Sequence, residues 1–119
     1  MNKEVLDIKD VLERVQDDRE LLLELFDIFE EDFQEKRKNL SQHLAMGNFD
    51  SIRDLAHSMK GAAGNISAKA LYASCSTIEQ LAHDRGLDGI KSKMKDLDRQ
   101  FIELQACIRD IKVELKSST

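Results

Sequence analysis

Residues 55–67, LAHSMKGAAGNIS, place a histidine, a lysine and two glycines at helical spacing. Lys60 follows His57 by three positions, while Gly61 and Gly64 follow it by about one and two turns of an α-helix. An imidazole nitrogen can act as a nucleophile, and a neighbouring ammonium group can neutralise an anionic group attached to the ring. Glycine inside a helix costs roughly 1 kcal/mol relative to alanine, so two of them here need a reason. The pattern indicates a surface that another protein approaches closely to place an anionic group on the ring.

The apolar residues around His57 predict which way its ring points. At about 100° per residue they form one stripe, and His57 lies about 160° from the centre of that stripe. The stripe consists of Ile52, Leu55, Ala56, Met59, Ala62 and Ala63. The residues within about 60° of His57 are Arg53, Asp54, Lys60, Gly61 and Gly64. His57 is therefore predicted to be exposed. The residues alone leave open a second interpretation, an ordinary surface histidine followed by a loosened helix end.

The other histidines and the cysteines lack the spacing of a metal or redox site. No HxxxH or HxxE pair joins His43, His57 and His83, so no metal site is expected. His83 is interpreted as a cation near a helix C-terminus and His43 as a half-exposed bundle residue. Cys75 and Cys107 form no CxxC pair, which favours two buried free thiols.

Composition indicates one helical domain. A chain of 119 residues can build a single core, and it has no proline to interrupt a helix. The net charge is −5 with Lys and Arg dispersed among acids, which argues against nucleic acid as a partner. Neither a membrane-length apolar run nor the apolar core of a signal peptide is present, so a cytoplasmic protein is expected. The absence of a P-loop or glycine-rich nucleotide fingerprint argues against a kinase that uses ATP.

Hydrophobic periodicity predicts a short helix followed by a long one. The short helix runs from about 7 to 15, where apolar residues recur at helical spacing. Asp17 with Glu20 has the pattern of a capping box, which predicts the start of the second helix. Gly47 is its expected end.

Three further helices follow. Asn48 is the expected cap of the third helix, over about 49–64, which carries the histidine. Ser67 is the expected cap of the fourth, which ends at Gly86, and Asp88 opens the fifth. The helix over 49–64 is thus the element that would position the candidate chemistry.

The pattern predicts an all-α fold. The fifth helix carries a regular apolar seam with alternating steps of four and three. Its members are Ile90, Met94, Leu97, Phe101, Leu104, Ile108, Ile111 and Leu115. Because the connections are short, neighbouring long helices should be antiparallel. The predicted architecture is an up-down-up-down antiparallel four-helix bundle with a short extra N-terminal helix. The seam could join two copies, but a bundle core accounts for it more simply, so a monomer is expected.

The stretch AHSMKGAAGNISAKAL resembles the signature of histidine-containing phosphotransfer (HPt) domains. The similarity extends over essentially the whole chain, 1–119, as a single domain. The matching positions are His57, Met59, Lys60, Gly61, Ala62, Ala63, Ile66 and Ala68. Ser67 departs from the pattern, since many members have glycine there; a serine that caps the next helix is expected to preserve the turn.

The resemblance implies a phosphorelay carrier of two-component signalling. His57 would accept a phosphoryl group from the phosphoaspartate of one receiver domain and pass it to the aspartate of another. Lys60 would stabilise charge on the phosphoryl oxygens, and Gly61, Gly64 and Arg53 would belong to the docking face. The expected partners are receiver domains of a hybrid sensor kinase and of a response regulator. No bound cofactor is expected, because the receiver would bring its own Mg²⁺.

Two other functions remain open at this stage. A module similar to the N-terminal domain of chemotaxis-type kinases would receive phosphate from an ATP-binding domain located elsewhere. A structural or adaptor bundle would carry His57 incidentally. The sequence names neither the receivers nor the signal, and it fits both a free-standing protein and a domain from the end of a hybrid kinase.

Overall fold

The computed structural model describes residues 2–117, which form helices and connecting turns without a strand. The five helices are α1 (Ile8–Arg14), α2 (Arg19–Ala45), α3 (Phe49–Asn65), α4 (Lys69–His83) and α5 (Leu87–Ser117). The predicted all-α fold is confirmed. No helix within residues 2–117 combines the length and the apolar character needed to cross a bilayer.

The four long helices form a closed antiparallel bundle. α2 packs against α3, α3 against α4, α4 against α5, and α5 against α2, while α1 packs against α2. The connections between the four long helices are three residues long, so each of these helices must reverse direction relative to its predecessor. At 31 residues, α5 is about 46 Å long and extends over nearly the whole 49 Å of the molecule. α3 and α4 are much shorter and lie side by side as one hairpin.

The seam of α5 is used inside the bundle, as predicted. Most of its residues are buried in the single core cluster. Phe101 is half-buried and stacks on Phe33 with ring centroids 4.7 Å apart. Both cysteines are free, as predicted, but only Cys75 is buried, whereas Cys107 on α5 is partly exposed. Burial raises the pKa of the Cys75 thiol to about 12, so this group is an inert core residue.

The start of α2 differs from the sequence prediction by one residue. Asp18, not Asp17, is the N-cap, and its carboxylate accepts a hydrogen bond from the backbone N–H of Leu21 at 3.0 Å. Gln16 and Asp17 both have positive φ, 54° and 59°, so they form the turn itself. The capping-box prediction was wrong because a two-residue left-handed turn leaves only the next residue to cap. Gly47, with φ 66°, follows the end of α2 as expected.

Asn48 caps α3 as predicted, whereas Ser67 does not cap α4. The Asn48 side chain accepts from the backbone N–H of Ser51 at 3.2 Å. The N-cap of α4 is Ala68, which offers no side-chain cap. Ser67 has φ 60°, a conformation that favours glycine, and its buried hydroxyl donates to Asp10 of α1. Serine therefore replaces glycine here because it ties α1 to the α3–α4 turn, and this bond is the main reason that the pKa of Asp10 is lowered.

The turn between α4 and α5 also differs in detail. The fourth helix was predicted to end at Gly86, but α4 ends at His83, and Arg85, with φ 59°, is the residue of this turn with positive φ. The Gly86 carbonyl instead accepts from the N–H of Ile90, so Gly86 leads into α5. The helix begins at Leu87, and Asp88 lies in its first turn. Glycine in a sequence marks the turn but does not identify which of its residues has positive φ.

Candidate functional site

α3 presents His57 at the surface, opposite the core. The buried residues of this helix are Ile52, Ala56, Met59 and Ala63. They anchor α3 against its two neighbours, and the side chain of His57 is 69% exposed. The predicted direction of the ring is therefore correct. A nucleophilic nitrogen at this position is accessible to a second protein and to water.

His57 and Lys60 both contact one carboxylate, that of Glu79 on α4. The Nδ1 atom of His57 lies 2.9 Å from one oxygen of Glu79, and Lys60 donates to the other oxygen at 2.6 Å. Lys60 and Glu79 are only 21% and 24% exposed, so the pair is packed between the two helices. The single carboxylate thus joins the histidine of α3 to the lysine one turn further along.

The electrostatics of the pair are mutually consistent. The hydrogen bond from Lys60 is the main reason that the pKa of Glu79 is lowered, and the bond with His57 lowers it further. The same contact with Glu79 raises the pKa of Lys60. Both shifts stabilise the charged forms, so the lysine is an ammonium group and the glutamate a carboxylate near neutral pH.

The contact with Glu79 determines which nitrogen of His57 is available. An ionised carboxylate only accepts hydrogen bonds, so Nδ1 must carry the proton and donate it. In a neutral ring the lone pair then resides on Nε2, on the side of the ring away from Glu79. When the ring is neutral, Nε2 is therefore its nucleophilic atom.

The two glycines near His57 lie on different flanks of α3. Among residues 2–117, leaving out its own chain neighbours, an added Cβ at Gly61 would meet no atom within 4 Å, so internal packing does not require glycine there. At Gly64 an added Cβ would lie 3.3 Å from the ring of Tyr72 on α4. The Tyr72 ring therefore covers part of the surface that was expected to be bare. Gly64 lets α4 pack closely, whereas Gly61 leaves open space beside the histidine.

Arg53 lies on the α4 flank but does not contact His57. Its guanidinium is 4.0 Å from Asp50 and 3.9 Å from Asp54, both on its own helix. It lines an open groove of about 390 Å³ between α3 and α4. The groove residues are Arg53, Lys60, Ser76, Glu79, Gln80 and His83. The structure thus brings Arg53 and Lys60 to one groove beside the candidate nucleophile.

A second polar link joins α3 to α2 on the opposite flank. Lys36 donates to the hydroxyl of Ser58 at 2.6 Å and forms an ion pair with Asp32 at 2.9 Å. Ser58 directly follows His57, so this bond fixes the position of α2 along the bundle axis relative to the histidine. The sequence analysis did not single out this contact.

Sequence reasoning also missed Glu79, although the α3–α4 hairpin held a signal. In two antiparallel helices, residues equally distant from the turn lie at the same height. His57 and Glu79 are each 11 positions from Ala68. The rotation of α4 then decides which of its polar residues reaches the ring, and that rotation depends on packing against α5.

The described residues hold no group of three His, Cys, Asp or Glu side chains that could bind a metal ion. His43 is half-buried in α2 and His83 is exposed at the end of α4, so neither joins the cluster around His57. Within residues 2–117, the chemistry available at this surface is therefore that of an imidazole with a carboxylate and an ammonium group.

Solved structures with the same fold are found in bacteria and plants. Histidine-containing phosphotransfer protein B (HptB) from Pseudomonas aeruginosa PAO1 is 24% identical, with 90% of each chain covered and a TM-score of 0.78. The HPT domain of a sensor hybrid histidine kinase from Shewanella is 12% identical, with 95% of this chain and 97% of that chain covered and a TM-score of 0.79. The phosphotransfer protein MtHPt2 from Medicago truncatula is 22% identical, with 92% and 81% covered and a TM-score of 0.78.

Comparison with families gives the assignment. A search of curated proteins found no match. The Hpt domain family matches residues 24–114, which include all of α3 and α4 and most of α2 and α5. Since this match covers most of the chain, the protein belongs to the Hpt domain family.

Proposed function

We propose that His57 is the phosphoacceptor of a phosphorelay between two receiver domains. Membership of the Hpt family supports a phosphotransfer carrier of two-component signalling. The observation that carries the assignment of the residue is the exposed ring whose Nδ1 is bonded to Glu79. This contact leaves Nε2 directed toward solvent as a nucleophile.

The transfer can be written with these groups. The Nε2 lone pair attacks phosphorus in line with the aspartyl oxygen of the receiver, so an N–P bond forms while the P–O bond breaks. The receiver's aspartate leaves as a carboxylate, and the ring becomes positively charged. The Nδ1 proton stays on the ring and donates to Glu79, whose carboxylate offsets this positive charge. Delivery to the second receiver is the reverse reaction.

Lys60 is proposed to stabilise the negative charge on the phosphoryl oxygens. Its ammonium group is held by Glu79 on the side of α3 next to the ring, so it is already charged and placed before a partner arrives. Phosphoryl transfer depends mainly on alignment and charge stabilisation, which this arrangement supplies. Mg²⁺ is proposed to come with the acidic site of the receiver.

The partners proposed are a receiver of a hybrid sensor kinase and a receiver of a response regulator. The open space beside Gly61 supports close approach of such a domain, because no other helix within residues 2–117 comes within 4 Å of a Cβ placed there. Arg53 is proposed to contribute to the docking face from the groove between α3 and α4. The chain is proposed to lack ATP-dependent kinase activity of its own.

The test is transfer of labelled phosphate. Receiver domains from the same organism are phosphorylated with labelled acetyl phosphate and Mg²⁺, purified and mixed with this protein. We expect acid-labile, base-stable label on the wild type and none on His57→Gln. His83→Gln is the matched control, because His83 is also exposed and lines the same groove as Arg53; it should still carry the label, since His57 is intact.

The other outcomes separate the alternatives. Label that appears only with ATP and a kinase domain, and never from a receiver, would support the chemotaxis-type module. Equal behaviour of the wild type and His57→Gln with every receiver would support the adaptor bundle. Either result would contradict the proposal.

A further inference from the structure

An exposed face of α2 combines two apolar residues with a row of carboxylates. Leu21 and Ile28 are 40% and 63% exposed, which is unusual for large apolar side chains. They are seven positions apart, so they lie on the same side of the helix. Both point away from the core side that buries Phe26 and Phe33. This stripe is therefore available to a partner.

The same side of α2 is strongly acidic. Within about 60° of Ile28 on the helical wheel lie four carboxylates and the exposed Leu21, besides Leu25, which is partly buried against the core. We call six of these residues the acidic face: Leu21, Glu24, Ile28, Glu31, Asp32 and Glu35. Residues 20–35 contain seven acids and no lysine or arginine, although lysines outside this segment pair with two of the acids, Lys36 with Asp32 and Lys112 with Asp27. Four of the six line a shallow hollow of about 450 Å³ around Ile28.

The acidic face is connected to the candidate site by the link between α2 and α3. Asp32 pairs with Lys36, which in turn donates to Ser58 beside His57. From Lys36 to Ile28 is about 12 Å along α2. A domain of about 100 residues has a radius of gyration of about 13 Å, so one seated on His57 also reaches the acidic face.

The cations on the α4 side of α3 do not neutralise the negative charge of the acidic face. Lys60 is paired with Glu79, and Arg53 lies next to Asp50 and Asp54. In contrast, Glu24, Glu31 and Glu35 have no ion pair within the described residues 2–117. A partner that covers both His57 and α2 therefore meets an apolar contact beside three carboxylates that have no ion pair within residues 2–117.

We propose that the receiver domains served by this protein dock on the acidic face with apolar side chains flanked by lysine or arginine. This inference rests on the proposed relay function and specifies its partner. Exposed charges act mainly on the rate of encounter and on the rejection of partners with like charge. Receivers with a basic surface beside the phosphoaspartate are selected, and those with an acidic surface are excluded.

The test compares two charge reversals of equal size and spacing. Glu24→Lys with Glu31→Lys reverses two carboxylates of the acidic face that are seven residues apart. Glu103→Lys with Asp110→Lys makes the same change, at the same spacing, on exposed positions of α5. Helical circular dichroism checks that both variants fold. The initial rate of transfer from each receiver is then measured at low and at physiological salt.

We expect the α2 double variant to accept phosphate from the cognate receiver at least about tenfold more slowly at low salt. The α5 variant should resemble the wild type. Because salt screens exposed charges, the wild-type rate should fall as salt rises, while the α2 variant should respond little or in the opposite direction. A receiver with an acidic face should gain from the α2 reversal.

The outcomes distinguish this inference from the function on which it rests. Normal transfer to the wild type with equal rates for both double variants would overturn the docking inference and leave His57 as the phosphoacceptor. Equal slowing by both double variants would also overturn it, because the effect would then depend on net charge. Absence of transfer to the wild type from every receiver would overturn the relay function itself.

Discussion

The two flanks of α3 arrange their charges in opposite ways. On the α4 flank, Lys60, Glu79 and His57 form short contacts of 2.6 and 2.9 Å in a partly buried cluster. On the α2 flank, the acidic face carries exposed carboxylates of which only Asp32 has an ion pair among residues 2–117. One flank holds charges in fixed positions beside the reacting nitrogen, and the other presents a field to the solvent.

This difference separates chemistry from recognition. A paired charge at hydrogen-bond distance controls the tautomer and orientation of the ring but has little effect beyond about a Debye length, roughly 8 Å at physiological salt. A row of unpaired charges does the reverse: it holds no side chain in place, but its electric field steers an approaching domain. Changes on the α4 flank should therefore affect the transfer step, and changes on the α2 flank should affect encounter.

The largest effect after loss of His57 is expected from Glu79. We expect Glu79→Ala to slow transfer from a phosphorylated receiver by about 10- to 100-fold, since it removes a charge-assisted hydrogen bond to the ring. The change should persist at saturating receiver, because the residue acts on the ring and not on docking. The ¹⁵N shifts of the His57 imidazole should also change from a predominantly Nδ1–H ring to a mixture of tautomers.

Gln80→Ala, at the neighbouring position of α4, is the matched control for Glu79. It lines the same groove but makes no contact with the ring. An unchanged tautomer and an unchanged rate in Glu79→Ala would mean that the α4 flank does not control the nucleophile. The assignment of the transfer step to this flank would then be wrong.

The second prediction concerns the pH range of the Lys60–Glu79 pair. The pKa of Glu79 is lowered from 4.5, so its contribution is present above pH 4.5 and is lost as pH falls through the lower folded value. The pKa of Lys60 is raised from 10.5, so its contribution is present below pH 10.5 and is lost as pH rises through the higher folded value. The pair should therefore stay intact between pH 4.5 and 10.5.

Titration of the Glu79 carboxyl carbon by NMR checks this. In Lys60→Met the pKa of Glu79 should rise, because the hydrogen bond from Lys60 is the main cause of its depression. Arg53→Met removes a cation from the same groove without touching Glu79 and should change this titration little. A Glu79 titration that is the same in Lys60→Met and the wild type would contradict the proposed coupling.

The smallest effect on the transfer rate is expected at the two glycines, and at Gly61 stability and transfer rate should change in opposite directions. Gly61→Ala should increase the free energy of unfolding by about 0.5–1 kcal/mol, because it adds helix propensity in open space. The same change should slow transfer severalfold by placing a methyl group where a receiver approaches. Chemical denaturation and the transfer assay on one preparation measure both.

Gly64→Ala is the paired variant on the α4 flank. The added methyl group would press on Tyr72 at 3.3 Å, so part or all of the gain in helix propensity should be lost. If Gly61→Ala stabilised the protein without slowing transfer, Gly61 would have no role in access, and the open surface beside His57 would not be part of the interface.

Much of the fold could be predicted from local rules. The α5 seam and the stripe of α3 identify core positions, because a buried helix face requires apolar residues at the helical period. Asn48 was correctly predicted as a cap since its side chain acts on the residues immediately following it. The turns were predicted less well. Asp17 and Ser67 were predicted as caps where Asp18 and Ala68 are the N-caps, and α4 ends at His83 before the predicted Gly86, because several residues of a short turn can adopt positive φ.

The sequence by itself determined the exposed face of α3, because the helical period links the position of His57 to that of the apolar stripe on the same helix. Only the tertiary structure decided which groups meet the ring. Glu79 contacts His57, and Lys36 contacts Ser58, because of how separate helices are positioned along the bundle axis and rotated about their own axes. Those depend on how whole helix surfaces interlock, and no spacing within one helix specifies them.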